Sequence, residues 1–240
     1  MAKQKAVTHI KNHERQGVIA RYIRSASFGF NDGLVSTIVF LAGITGAIKS
    51  GPLILFVGII AAFGAATSMF LGEYISTKSQ QETYLAEKKR ESREVEEMPE
   101  EERAEIRSIY SKMGYSGKKL EDIVKTITSD KKLWIDTMMK YELGLTYESG
   151  APWRKASVMF VVFMIGALIP LTPFALMPPI TALEISISLS LIIAFIVGAA
   201  KTRVTMKNPL TSGLELSAIA GIGIIITYYI GSVVSQLISI

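Results

Sequence analysis

The sequence predicts an all-α membrane protein, with five transmembrane helices and a cytosolic helical insert between spans two and three. Three observations carry this. Hydrophobic residues make up 49% of the 240, and the mean hydropathy is +0.35, which is unusual for a soluble domain of this length. The apolar residues collect into five stretches nearly free of charge. A single long polar block separates the first two stretches from the last three. The expected organisation is a cytosolic N-terminal amphipathic segment over 1–24, spans one and two over 25–77, a cytosolic helical domain over 78–150, and spans three to five over 151–240.

The first stretch, Ala26–Ile48, carries one charge, Asp32. The second, Pro52–Thr77, also carries one, Glu73. The third, Ala156–Ile180, carries none, and the fourth, Ala182–Ala200, has Glu184 near its start. The fifth begins near Gly213, with Glu215, and runs uncharged from Leu216 to Ile240. Each can supply the ~20 apolar residues a helix needs to cross a bilayer. Pro170 and Pro173 are expected to kink span three. Thr181 with Glu184, and Ser212 with Glu215, read as capping boxes at the starts of spans four and five.

Charge sorting gives the orientation. Lys49, between spans one and two, is the only one of 26 Lys and Arg residues expected on its side. The N-terminus, the block 78–155 and the loop 201–209 fall on the other side, which the positive-inside rule makes cytosolic. Five spans then put the C-terminus outside. The pI of 9.3 follows from this sorting and does not imply nucleic-acid binding. The first 24 residues have six basic residues and no apolar h-region, so they do not form a signal peptide. The spacing of Ile10, Val18, Ile19, Tyr22 and Ile23 suggests a short helix lying on the membrane surface.

Within the polar block, no Pro or Gly interrupts 73–98, so the second span should continue as one long helix. Beyond Thr77 it would project ~30 Å. Pro99 suits the first turn of the next helix and Gly114 its end. A further helix is expected over 117–128, and another, capped by Ser129 or Asp130, ending near Gly144.

Residues 91–105 hold eight Glu against two Arg. A charge run is usually a solvated face. Helical phase at ~100° per residue argues otherwise for some of these residues, because Glu87, Glu91 and Glu94 fall on the side of Tyr84, Val95 and Met98. On the next helix Glu102 falls near the centre of the face made by Ile106, Ile109 and Met113, with Glu105 at its edge and Glu100 pointing away. Carboxylates on a packing side must be paired, protonated or bound to a cation. Met138 and Glu142 are four residues apart, which puts thioether and carboxylate on one helix face. A mixed Glu/Met site suits Fe²⁺ and similar ions better than Ca²⁺ or Mg²⁺. A Met-Met pair without other ligands is more often core packing.

Asp32 and Met69 lie at similar depth in antiparallel spans, in the cytosolic half of the bilayer. A carboxylate there points to function, the alternative being a helix-end hydrogen bond to Asn31, Ser36 or backbone. Gly64, Ser68 and Gly72 form a small-residue stripe beside Met69 that suggests a seam between helices or subunits. Glu73 fits either the membrane interface or a metal path.

The run Phe28–Gly29–Phe30–Asn31–Asp32–Gly33–Leu34–Val35–Ser36–Thr37 resembles the vacuolar iron transporter family, as do Ala66–Thr67–Ser68–Met69, Gly72–Glu73–Tyr74 and Gly166 with Pro170 and Pro173. The order of five spans with an insert after the second also matches. The resemblance implies a homodimer with the path between subunits, exchanging divalent metal against protons. It implies a membrane site at Asp32 and Met69. It also implies a cytosolic metal-binding domain using Glu91, Glu94, Glu102, Glu105, Met138, Met139 and Glu142. A further carboxylate that family members carry two turns before the span-two Met is replaced here by Ala61.

The expected function is proton-coupled export of Fe²⁺, with Mn²⁺ as a second cargo, from the cytosol. A membrane-anchored metal sensor or buffer is the competing reading. The metal is substrate, and no catalytic cofactor is expected. Cysteine is absent, His9 and His13 are the only histidines, and there is no P-loop, so an enzyme is not expected. Expected partners are the bilayer, divalent ions, protons and a second copy of the chain, without nucleic acid. The absence of an organelle signal favours a prokaryotic cell membrane, with a vacuolar membrane as the alternative.

Overall fold

The computed structural model describes residues 2–148 and 150–238, with side chains over 22–148, 150–203 and 206–237. Every regular element among them is helical: α1 (Ala2–Ala47), α2 (Gly51–Glu97), α3 (Pro99–Lys112), α4 (Gly117–Thr128), α5 (Lys131–Tyr141), α6 (Pro152–Leu171), α7 (Pro179–Thr205) and α8 (Pro209–Ile238), with a 3-10 turn at Thr172–Ala175 after α6. The chain divides into two compact units, Met1–Tyr74 with Ala151–Ile240, and Ile75–Gly150.

Five helices are long and apolar enough to cross a membrane: Tyr22–Ala47, Gly51–Glu97, Pro152–Ala175, Pro179–Arg203 and Pro209–Leu237. Their outer faces carry exposed large side chains such as Phe56, Ile60, Phe63, Ile192, Ile226 and Tyr229. Water would not tolerate so much apolar surface, whereas lipid does. The chain is thus a multi-pass membrane protein. The N-terminal stretch is no separate helix, since α1 runs unbroken from Ala2 into span one. The apolar face expected from Ile10, Val18 and Ile19 lies outside the described side chains.

Three sequence expectations need correction. Pro170 lies inside the last turn of α6, and Pro173 opens the 3-10 turn rather than kinking a continuing helix. Span three therefore stops near Ala175 and not at Ile180, because two prolines within four residues remove two backbone donors. The capping boxes are also absent. Pro179 and Pro209 start α7 and α8 ahead of Thr181 and Ser212, since proline is preorganised for the first helical position. At α8 the cap is Asn208, whose Oδ1 accepts from the Leu210 N–H at 2.9 Å. Glu184 and Glu215 are exposed.

α1 is the axis of the first unit, packed along α6 and α8. The core contains Ile38, Leu41, Ile54, Phe163, Leu171 and Phe174. Close contact is made through glycine. A Cβ on Gly33 would lie 2.1 Å from the Phe163 carbonyl oxygen, and one on Gly166 would lie 2.3 Å from that of Phe30. The α1–α6 crossing thus fixes the backbone on both sides of Asp32. The Gly64–Ser68–Gly72 stripe behaves differently, for a Cβ at Gly64 or Gly72 meets nothing within 4 Å. It is not a seam between helices of the described chain.

This contrast gives a first prediction. Gly33→Ala forces backbone apart at the α1–α6 crossing and should destabilise by about 4 kcal/mol or abolish folding. Gly64→Ala should leave thermal unfolding of the detergent-solubilised monomer near that of the parent. Fluorescence-detected melting in detergent checks both, and an unperturbed Gly33→Ala would refute the tight crossing.

Candidate metal site

The second unit is built on the polar block. α2 continues through Glu97 without a break, and Pro99 then starts α3 with Glu100, Glu101 and Glu102 in its first turn, where they complement the helix dipole. Asp130 caps α5, accepting from the Lys132 and Leu133 N–H groups at 2.8 and 3.0 Å. Met113 and Gly114 (φ 95°) close α3. The insert has more of a core than its charged sequence suggests: Val95, Ile106, Leu120, Val124, Trp134 and Ile135 are all buried.

The carboxylates sort by helical phase. Glu91 is 2% exposed and Glu102 is 5% exposed, whereas Glu105 is exposed and Glu94 is partly covered. One oxygen on each buried group, Oε2 of Glu91 and Oε2 of Glu102, has no hydrogen-bond partner. Such an orphaned charge is costly, so the carboxyl groups hold protons more tightly. Burial, then the charges of Glu105 and Glu91, push Glu102 up to about 7. Burial and the Glu94 charge push Glu91 up as well. Glu142 rises to about 7, through lost solvation and then the charges of Glu105 and Glu91. Glu142 sits at the solvent-exposed C-cap of α5, so the buried Glu102 is the stronger proton holder. Glu87, unassigned on sequence grounds, lies near enough for its charge to act on Glu91.

Met138 and Met139 are 0% and 1% exposed and belong to the core of this unit. Their burial fits packing as well as ligation. Among the described residues no three carboxylate or imidazole groups stand close enough together to hold a metal ion as they are placed. What occupies the acidic cluster instead is Arg90, a residue the sequence reading passed over. Its spacing from Glu87, Glu91 and Glu94 was the available signal.

In the first unit Asp32 lies mid-helix, half-buried, so a helix-end role is excluded. Ser36 Oγ donates to the Asp32 backbone oxygen at 2.5 Å and leaves the carboxylate alone. Among the described residues nothing pairs with that carboxylate. The neighbouring Asn31 Oδ1 is also buried without a partner. Two adjacent side chains thus offer unmet oxygen acceptors within the bundle. Met69 is partly buried against the core of this unit. Glu73 is a structural anion here. Its Oε1 lies 2.9 Å from Lys155 Nζ and accepts from Ser25 Oγ at 3.2 Å, which joins α1, α2 and α6.

The family model described as "VIT family" matches residues 23–232. Vacuolar iron transporter 1 of Arabidopsis thaliana is 33% identical over 95% of this chain and 91% of its own length. Vacuolar iron transporter 1 of Tulipa gesneriana is 31% identical over 95% and 93%. The vacuolar iron transporter of Toxoplasma gondii is 31% identical over 96% of this chain and 79% of its own.

Proposed function

The chain belongs to the VIT family, and from that premise we propose that it moves Fe²⁺, with Mn²⁺ as a second cargo, out of the cytosol in exchange for protons. The observation that carries this reading is the pair of buried, unpartnered carboxylate oxygens on Glu91 and Glu102. A site whose carboxyl groups hold protons more tightly than usual, and whose buried oxygens lack hydrogen-bond partners, favours a divalent cation once those protons leave. In this reading Glu91, Glu94, Glu102, Glu105 and Glu142 collect metal over the thioethers of Met138 and Met139. Asp32 and Met69 then pass the ion through the membrane, with Asn31 as an added oxygen donor. Protons taken up by the vacated carboxylates complete the exchange.

The orientation follows from the distribution of Lys and Arg, with the N-terminus and the insert in the cytosol. The open Gly64–Ser68–Gly72 face supports a homodimer whose helices approach there. The experiment is Fe²⁺ uptake by proteoliposomes under an imposed pH gradient. Uptake should rise when the receiving side is acidic. Stoichiometric binding without accumulation would instead support a sensor or buffer.

The burial of Met138 and Met139 shapes the test of the thioethers. Alanine at either would leave a cavity costing about 2–5 kcal/mol. Leucine keeps volume and removes only sulfur. Met138→Leu with Met139→Leu should raise the half-saturating Fe²⁺ concentration about threefold to tenfold, with maximal flux near the parent's. Met69→Leu should lower maximal flux and weaken discrimination against excess Mg²⁺, because every ion passes it. Flux against Fe²⁺ concentration, with and without Mg²⁺, distinguishes these outcomes. Unchanged flux and preference in Met69→Leu would make Met69 a packing residue.

A further inference from the structure

The cation held in the acidic cluster is part of the protein. Arg90 Nη1 lies 2.9 Å from Glu87 Oε2, its Nε lies 3.5 Å from Glu94 Oε2, and its Nη2 lies 4.0 Å from Glu91 Oε1. The other ion pairs described in this unit join Lys78 to Glu82, Lys88 to Asp136, Arg103 to Glu100, Arg107 to Glu121, and Lys131 to Glu96. None of those carboxylates belongs to the cluster, whereas every partner of Arg90 does. The closest contact, at Glu87 Oε2, lies outside hydrogen-bonding geometry. The attraction is thus mainly Coulombic and not a locked bidentate fork. Arg90 is itself half-exposed, so its guanidinium can swing into water at little cost.

We propose that Arg90 is a built-in competing cation, which neutralises the Glu87–Glu91–Glu94 face while no metal is bound and must leave when a divalent ion enters. The inference rests on the reading of this cluster as the metal-collecting site. It accounts for carboxylates that gather on one face yet do not converge on a common point, since they are drawn to the arginine. It also assigns Arg90 a role in selectivity. An ion with a single charge gains no more from the cluster than the arginine it displaces, whereas a doubly charged ion does. The tethered cation thereby lowers affinity so that captured metal can be released again.

The test is anaerobic calorimetric titration of Fe²⁺ into the full-length protein in detergent, in an Asp32→Asn background that leaves the cytosolic cluster as the site measured. Arg90→Gln should tighten binding about tenfold. Arg90→Lys, which keeps the charge, should stay within about threefold of the parent. Glu102→Gln, which does not touch Arg90, should weaken binding. If Glu102→Gln weakens binding while Arg90→Gln leaves it unchanged or weaker, Arg90 is no competitor and only this inference falls. If Glu102→Gln has no effect, or the parent binds no Fe²⁺, the metal-collecting reading falls and the inference with it.

Discussion

Replacing Asp32 by asparagine is expected to lower Fe²⁺ flux into proteoliposomes by about 100-fold, equivalent to ~2.7 kcal/mol of lost preference for the ion in the path. The fold should survive. The Asp32 carboxylate has no hydrogen-bond or ion-pair partner among the described residues, so an isosteric amide breaks no contact. The Ser36 hydroxyl bonds to the Asp32 main-chain oxygen and does not depend on the side chain. The tight α1–α6 crossing through Gly33 and Gly166 is untouched. What disappears is the negative charge and the exchangeable proton of a carboxylate within span one, which is costly to keep there unless it is used. Asp32→Glu retains charge and should keep measurable flux. Monodisperse elution and unchanged melting, together with lost flux, establish the role. Parent-like flux in pure Asp32→Asn would remove Asp32 from the path.

The sequence made much of the helical layout legible because its signals were local. Pro99, Gly114 and Asp130 act within one turn of their own positions: α3 begins at Pro99 and closes before Gly114, and α5 begins directly after Asp130. Where two local signals competed, the sequence reading chose wrongly. A capping box and an upstream proline both mark a helix start, and at α7 and α8 the proline prevailed. Hydropathy overran the end of span three because Leu176, Met177 and Ile180, beyond the 3-10 turn, carry no charge and are as apolar as the helix before it. The glycines divided along the same line. A repeat of small residues was visible on α2, yet close contact falls to Gly33 and Gly166, and which glycine meets which backbone is a tertiary fact.

The acidic cluster shows the same division. Burial of Glu91 and Glu102 followed from helical phase, because the apolar neighbours that set the phase sit on the same helix. Glu105, at the edge of its face, is exposed, whereas the exposure of Glu142 did not follow, since its spacing from Met138 suggests a shared face and it is instead the C-cap of α5. Arg90 was hidden by its abundance of neighbours. In a segment so rich in Lys, Arg and Glu, pairing at three or four residues is expected everywhere. Only the geometry shows that one arginine takes partners solely from the cluster.

Changing Glu91, Glu94, Glu102 and Glu105 together to glutamine is expected to weaken Fe²⁺ binding by the Ile75–Gly150 unit about 100-fold or more, and to reduce its pH dependence to what Glu142 alone contributes. In the parent, Glu102 and Glu142 ionise near pH 7, well above the ordinary value of 4.5, because burial and neighbouring carboxylates oppose the charge. Fe²⁺ must displace those protons, so affinity should rise as pH climbs from about 5 through about 7 and then level off, with up to about two protons released per ion. Stability of the metal-free protein should move the other way. Between pH 4.5 and about 7 the folded chain holds protons that the unfolded chain has lost, so unfolding becomes easier as pH rises through that window. Bound Fe²⁺ should restore the lost stability above pH 7 by mass action. The glutamine variant keeps the shape of the four neutral acids without their ionisation and leaves Glu142 to titrate. Its metal-free melting temperature should therefore change less between pH 5 and pH 8 than the parent's, and Fe²⁺ should raise it little. Melting with and without Fe²⁺ across that range, with calorimetry at pH 7.5, measures each part. Parent-like binding in the quadruple variant would make the glutamates a solvated charge run, while lost binding with an unchanged stability–pH profile would separate metal ligation from the buried protons at Glu91 and Glu102.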